Sequence, residues 1–305
     1  MRQELGFSAA HVRHLKFRED GILVNGSRVT VRYILKNGDL LTLAAEDTES
    51  GEALLPVELP LPIVYEDHDV VIPDKPANMP THPSCNHHTD TVANALAFRY
   101  AEQGLPFVFR PISRLDRNTS GLLTVARNRI AAAALTRAMQ NRQIKKQYIA
   151  ILCGIPPKSE DIIETHIRRT AQSVILRENC LPDEGGELAL TRYRVLCSDH
   201  VYSLVCAEPL TGRTHQLRVH FAGIGCPIVG DDLYGLPCAE IGRHALHSAM
   251  LSLPLPSERG RIALTAPLPD DMRSLAFDRF GSSRTESLVS AEYERFLQMH
   301  GASTD

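Results

Sequence analysis

Apolar residues along the chain fall into two rhythms. In "NRIAAAALTRAMQ" (128–140) they recur at helical spacing, with Asn128 where a cap is needed. "TDTVANALAFRY" (89–100) reads as a second helix, with Thr91 or Asp90 at its start. "THQLRVHFAGIG" (214–225) reads as a third, starting at Thr214 and stopping near Gly225. Its residues Leu217, Phe221 and Ile224 share one face, and His215 and Arg218 share another. "SAAHVRHLKF" (8–17) is a shorter helix with Ser8 available as cap. The other rhythm has a period of two. "KKQYIAILCG" (145–154), "LALTRYRVLC" (188–197) and "VYSLVCAEPL" (201–210) alternate and are rich in strand formers. "GLLTVA" (121–126) and the start of "IVYEDHDVVIPDKP" (63–76) read as buried strands. "GILVNGSRVTVRYILKNGDLLTL" (21–43) places short β-rich runs around two Asn-Gly turns. Helices and strands follow no regular alternation, so the fold class expected is α+β, a mainly antiparallel mixed sheet flanked by helices.

The 305 residues are enough for two domains. Residues 40–74 hold nine acids and no Lys or Arg, which reads as a solvated linker. The expected division is a small module plus acidic linker at 1–55 and a larger domain at 56–305. With 43% apolar and 23% charged residues, the composition is that of an ordinary globular protein. No apolar run approaches the ~18 residues of a membrane span, and the N-terminus lacks the apolar core of a signal peptide. The seven cysteines form no CxxC pair, which favours reduced thiols and a cytoplasmic location. "THPSCNHH" (81–88) has residue types that zinc accepts, but no second half with matching spacing, so a polar loop is the better reading and no metal is expected.

Charge changes the picture more. From Arg110 to Gln147 nine Lys/Arg stand against one acid, Asp116. That local +8 leaves −11 to the remainder of a chain whose net charge is −3. Such asymmetry points to a phosphate-rich partner. The turn-forming "DRNTSG" before a buried strand puts Asp116 on a loop held by a rigid element, where catalytic groups tend to sit. Cations around a lone carboxylate favour its charged form, which suits a nucleophile and not a general acid.

"SRLDRNTSGLLTVAR" (113–127) resembles the "HRLD-x-x-TSG-L-L" signature of the RluA family of RNA pseudouridine synthases. "KKQYIAILCG" and "TGRTHQLRVHFAGIGCPIVGDDLYG" (211–235) are similar to that family's second and third motifs, in the same order. "YEDHDVVIPDKPANMPTHP" resembles its opening strand and lysine-proline turn, and "RHALHS" (243–248) a stretch late in its core. Residues 1 to about 45, with seven Lys/Arg and four acids, resemble an αL-type RNA-binding module. Two positions depart from the pattern: Ser113 stands where His is usual, and Asn78 where Gly is usual, though Asn tolerates the left-handed conformation.

The resemblance implies an isomerase that detaches uracil from ribose, turns it and rejoins it through carbon. Such a reaction needs no cofactor, and the chain has neither a Walker loop nor a dinucleotide fingerprint. The same resemblance makes Asp116 the nucleophile, Tyr148 the tyrosine that stacks on the base, and Arg218 the partner of Asp116. Arg114 would fill the space left by a flipped base. Arg110, Arg117, Arg142, Lys145 and Lys146, with Arg127 and Arg137, would meet phosphates. The expected partner is RNA, ribosomal or transfer, bound by a monomer. Two rivals are a non-catalytic RNA-binding or RNA-folding factor on the same fold, and a hydrolase using Asp116. The second would want another carboxylate, and none lies near Asp116 in sequence.

Overall fold

A computed structural model describes residues 9–44, 54–84, 86–257 and 260–301. The N-terminal module has one helix, α1 (Ala9–Phe17), and a small sheet of β1 (Ile22–Val24), β2 (Ser27–Arg28) and β3 (Leu41–Leu43), ordered β2-β1-β3. Between β1 and β2, Asn25 and Gly26 both have positive φ, 50° and 79°, as the Asn-Gly turn predicts. Leu15 and Ile22 form the module's own core, and Ile130 of the larger domain packs against it. The Ser8 cap expected for α1 lies outside the described residues.

The larger domain begins with the hairpin β4 (Ile63–Glu66) and β5 (Val70–Lys75). Then come α2 (Val92–Glu102), β6 (Arg110–Pro111), β7 (Ser120–Leu122), β8 (Val125–Ala126) and α3 (Arg129–Gln140). The caps are those the sequence predicts: Thr91 Oγ1 accepts from the Asn94 amide, and the Asn128 side chain accepts from the Ala131 amide. Long strands follow: β9 (Lys145–Cys153), β10 (Glu160–Arg169), β11 (Arg177–Cys180), β12 (Glu187–Ser198) and β13 (Tyr202–Pro209). The chain closes with α4 (Gln216–Gly223), β14 (Leu246–Pro254), β15 (Arg261–Thr265), α5 (Asp270–Phe280) and α6 (Ser282–His300).

Twelve strands make one sheet, in the order β11-β10-β12-β13-β9-β14-β7-β5-β8-β6, with β15 on β14 and β4 on β5. The only parallel contact among them is β14 with β7. Apolar residues of β5 alternate between two cores: Val71 joins the larger one with α2, α4, α5 and α6, while Val70 and Ile72 join the smaller one with α3. Burial on both faces explains why this strand reads as an unbroken apolar run.

The structure departs from two of these expectations. The acidic stretch is not a solvated linker to Asp74: Leu54, Leu59 and Leu61 lie against the larger core, and the Leu55 carbonyl accepts from Asn94 Nδ2 at 2.7 Å. The pattern there is apolar at every second or third residue, which the run of acids obscured. Helix α4 starts at Gln216, two residues later than expected, because His215, at its N-cap position, takes the left-handed conformation (φ 58°) and cannot continue the helix. The apolar rhythm gives no signal for the hairpin β10–β11 or for the helices α5 and α6. Helix α6 buries only a narrow stripe (Thr285, Val289, Glu292, Phe296), too thin a pattern to stand out.

Candidate active site

Asp116 lies on the loop between β6 and β7, in a cleft of about 390 Å³. The loop's main chain is pinned residue by residue. Thr81 Oγ1 donates to the Leu115 carbonyl at 2.8 Å. Lys75 Nζ donates to the Arg117 carbonyl at 2.9 Å and to the carbonyls of Pro76 and Met79, both at 2.8 Å. Arg243 Nη1 donates to the Asn118 carbonyl at 3.1 Å. Burial pushes Lys75 down to about 7, helped by Arg243 and opposed by Asp116 and Asp74. The three acceptors match the three protons of its ammonium form. Asn78 has φ 62°, which lets the 76–79 turn fold over that ammonium.

The stretches "TSG" and "RHALHS" meet here. Thr119 Oγ1 is 2.8 Å from His244 Nε2, and Ser120 Oγ is 2.9 Å from His247 Nδ1. Gly121 sits so close to β14 that an added Cβ would lie 2.3 Å from the Ser248 carbonyl oxygen, and its φ of +109° disfavours any side chain. Both histidines stay neutral inside the protein: burial first, then Arg218, pushes His244 down to about 3, and burial pushes His247 to about 4. They act as packing residues that fasten the loop to the sheet.

Arg218 is 4% exposed and lies among three carboxylates, the most distant being Asp232, 3.7 Å from Nη2. Its Nε and Nη2 each donate to Asp231 at 2.7 Å, a bidentate pair, and Nη1 reaches Asp116 Oδ2 at 3.4 Å. Burial disfavours the charge of both, but their mutual contact prevails, raising Arg218 and lowering Asp231. Helix α4 is aimed by Gln216, whose Nε2 donates to the Leu190 carbonyl at 2.8 Å and whose Oε1 accepts from Thr211 Oγ1 at 2.7 Å. His215 Nε2 lies 3.8 Å from the same Asp116 oxygen. Tyr148, on β9 opposite Ser248, lines the cleft with its phenol pushed up to about 12 by burial, so it is the neutral hydroxyl that faces the cavity.

The fold therefore brings Asp116, Tyr148 and Arg218 to one cleft, together with Arg114, Arg142, Lys145 and Lys146. Lys146 Nζ donates to Ser113 Oγ, and burial lowers this lysine to about 8. Arg110 and Arg117 do not line the cleft. Arg127 is committed elsewhere: it donates to the Asp67 carbonyl and lies over the Tyr100 ring. His87 is bound to Asp90, and Cys85 lies outside the described residues. No second carboxylate is near Asp116 in sequence, but the fold brings two close in space: Asp231 shares Arg218 with it and Glu208 lines the cleft. Both are tied up, Asp231 with Arg218 and Glu208 with Arg192 Nη1 at 2.9 Å. Asp231 and Lys75 lie in stretches similar to the family's motifs, but their pairing with Arg218 and with the Arg117 carbonyl spans 13 and 42 residues and has no signal in the sequence.

Residues 69–223 match the RNA pseudouridylate synthase family. The chain is 38% identical over 272 residues to an uncharacterised RNA pseudouridine synthase of Bacillus subtilis, covering 89% of this chain and 95% of that one. It is also 34% identical over 268 residues to the ribosomal large subunit pseudouridine synthase D of Pseudomonas aeruginosa, covering 83% and 82%. The solved human RNA pseudouridylate synthase domain containing 1 superposes with a TM-score of 0.56 at 30% identity, covering 68% of this chain and 83% of that one. The chain belongs to the RNA pseudouridylate synthase family, of the RluA type its motifs resemble. It is an isomerase that acts on RNA, converting uridine to pseudouridine. Among the synthase's described residues no helix is long and apolar enough to cross a membrane.

Proposed function

We propose that this synthase modifies uridines of large-subunit ribosomal RNA in the cytoplasm, as a monomer, with Asp116 as its nucleophile. The observation that carries the site reading is the contact of Asp116 Oδ2 with the buried Arg218 in the cleft that Tyr148 also lines. A fixed carboxylate in a half-enclosed cationic cleft suits the chemistry, which cleaves the bond from C1′ to N1 of uracil and forms one from C1′ to C5. The uracil must leave its stack to arrive there. Arg114, exposed at the cleft, has the reach and the planar group to stand in its place. Arg142, Lys145 and Lys146 on one wall, with Arg110 and Arg117 outside it, hold the phosphates. Tyr148 stacks on the base and relays its proton. A division placed ahead of Leu54, a little before the expected 55/56, separates a module that supplies affinity from a domain that does the chemistry. Relatives named as ribosomal large subunit synthases support the substrate class.

Asp116→Asn tests this reading. It keeps the shape of the side chain and removes the nucleophilic charge. Pseudouridine formation should fall to background while RNA binding survives, since a negative charge facing phosphates has gone. Mapping pseudouridines in total RNA from cells with the wild-type gene, the variant or none identifies the substrate. Loss of a site in transfer RNA instead of ribosomal RNA overturns the substrate class, and turnover near the wild-type rate in the variant overturns the nucleophile.

A further inference from the structure

Three groups that the reaction does not use converge behind Asp116. Tyr234 follows the turn that holds Asp231. Its amide donates to Asp231 Oδ1 at 3.1 Å, and its ring lies 5.1 Å from the Arg218 guanidinium. Its hydroxyl is 2.9 Å from the Arg177 amide nitrogen and 2.7 Å from His215 Nδ1. An amide can only donate, so the phenol oxygen accepts from Arg177. The single phenol hydrogen is then free for Nδ1 of His215. A neutral imidazole that accepts at Nδ1 carries its proton on Nε2. The opposite tautomer would leave the phenol hydrogen without an acceptor here and turn a lone pair toward the Asp116 carboxylate. That nitrogen, Nε2, is the one 3.8 Å from Asp116 Oδ2.

We propose that Arg177, Tyr234 and His215 form a relay that sets the orientation of the Asp116 carboxylate, with His215 as a positioning residue. The proposal rests on the reading of Asp116 as nucleophile. Arg218 and His215 both approach Oδ2, so the carboxylate is held by one oxygen and presents the other to the ribose. A separation of 3.8 Å is longer than a hydrogen bond, and such contacts tighten when substrate closes the site. The backbone fits the same role: His215 holds a left-handed φ of 58°, a conformation that few residues with side chains adopt and that collects at functional positions. Four charged groups face the ring, Asp116 and Asp231 against Arg218 and Arg177; burial and the two arginines keep it neutral, as the relay needs. The relay begins on the hairpin β10–β11. The Arg177 guanidinium also ties the carbonyls of Val174, Ile175 and Leu176, so the hairpin tip and the phenol are held by one residue.

Tyr234→Phe removes the hydroxyl and leaves the ring against Arg218. It should lower kcat about tenfold with little change in the KM for RNA. In the intact wild-type enzyme, imidazole ¹⁵N shifts at pH 7.5, with the His215 signals identified by their loss in His215→Asn, should show Nε2 protonated and Nδ1 bare. Tyr234→Phe should convert this to a tautomer mixture. His215→Gln, which can place an N–H near the position of Nε2, should retain more kcat than His215→Asn, which is too short. A wild-type ring protonated on Nδ1 overturns the relay, as does wild-type kcat in Tyr234→Phe. If Asp116→Asn is inactive while Tyr234→Phe is fully active, only the relay falls. If Asp116→Asn turns over normally, the nucleophile reading itself has failed.

Discussion

At the scale of single residues, the arginine beside Asp116 is doubly committed. Two of its nitrogens are used on Asp231 and a third reaches Asp116. Lysine has the charge but not the planar fork, so Arg218→Lys cannot serve both acids in this geometry. The variant should keep most of its RNA affinity, because Arg218 is buried and its guanidinium faces carboxylates. Its kcat should drop ~100-fold, in the range found when one preorganised electrostatic partner is lost. Single-turnover kinetics with saturating enzyme would check this, and a change confined to KM would show that Arg218 serves binding instead.

At the scale of elements, the parallel pairing of β7 with β14 holds the loop that carries Asp116. Ser120 lies beside His247 and Gly121 beside Ser248 across this contact. Gly121→Ala would force a methyl group onto the Ser248 main chain at a φ that side chains avoid. The expected cost is more than about 4 kcal/mol, in the class of backbone clashes and strained conformations. Gly242→Ala, where nothing lies within 4 Å, should shift stability by no more than about 0.5 kcal/mol. Urea unfolding of both variants is the measurement; similar midpoints would mean that β7 and β14 can separate without harm.

At the scale of the whole molecule, buried histidines make the fold acid-sensitive. Burial pushes His220 and His247 to about 4, and burial with Arg218 pushes His244 to about 3. In the unfolded chain each would titrate near ~6.5. Between those values the unfolded state holds protons that the folded state lacks, so stability rises with pH across the window and is lost as pH falls below about 6.5. Each histidine contributes a slope of roughly 1.4 kcal/mol per pH unit there. Unfolding free energies at pH 7, 6 and 5 should therefore decline steeply, with about three protons taken up on unfolding at pH 5. A flat profile over that range would mean that these rings are charged in the native protein.

The sequence by itself determined the local elements and nominated the candidate reacting groups. Asn128 and Thr91 cap their helices because a short polar side chain beside an apolar run satisfies the first free amides wherever it occurs. Runs of strand formers marked β9, β12 and β13; β12 alternates because one face is buried, while β9 and β13 are buried on both faces at their centres. Asp116, Tyr148 and Arg218 stood in motifs long enough to be recognised before their distances were known. What only the tertiary structure decided is which charges meet. Asp231 takes Arg218, Lys75 takes the Arg117 carbonyl, and Arg127 turns away to Asp67, each across a chain separation that no local pattern encodes. The +8 stretch likewise divides, with Arg114, Arg142, Lys145 and Lys146 at the cleft and Arg110, Arg117 and Arg127 outside it. Periodicity reports which face of an element is buried, whereas pairing depends on which faces the sheet order brings together, and the parallel contact of β7 with β14 is set only when strands more than a hundred residues apart have packed.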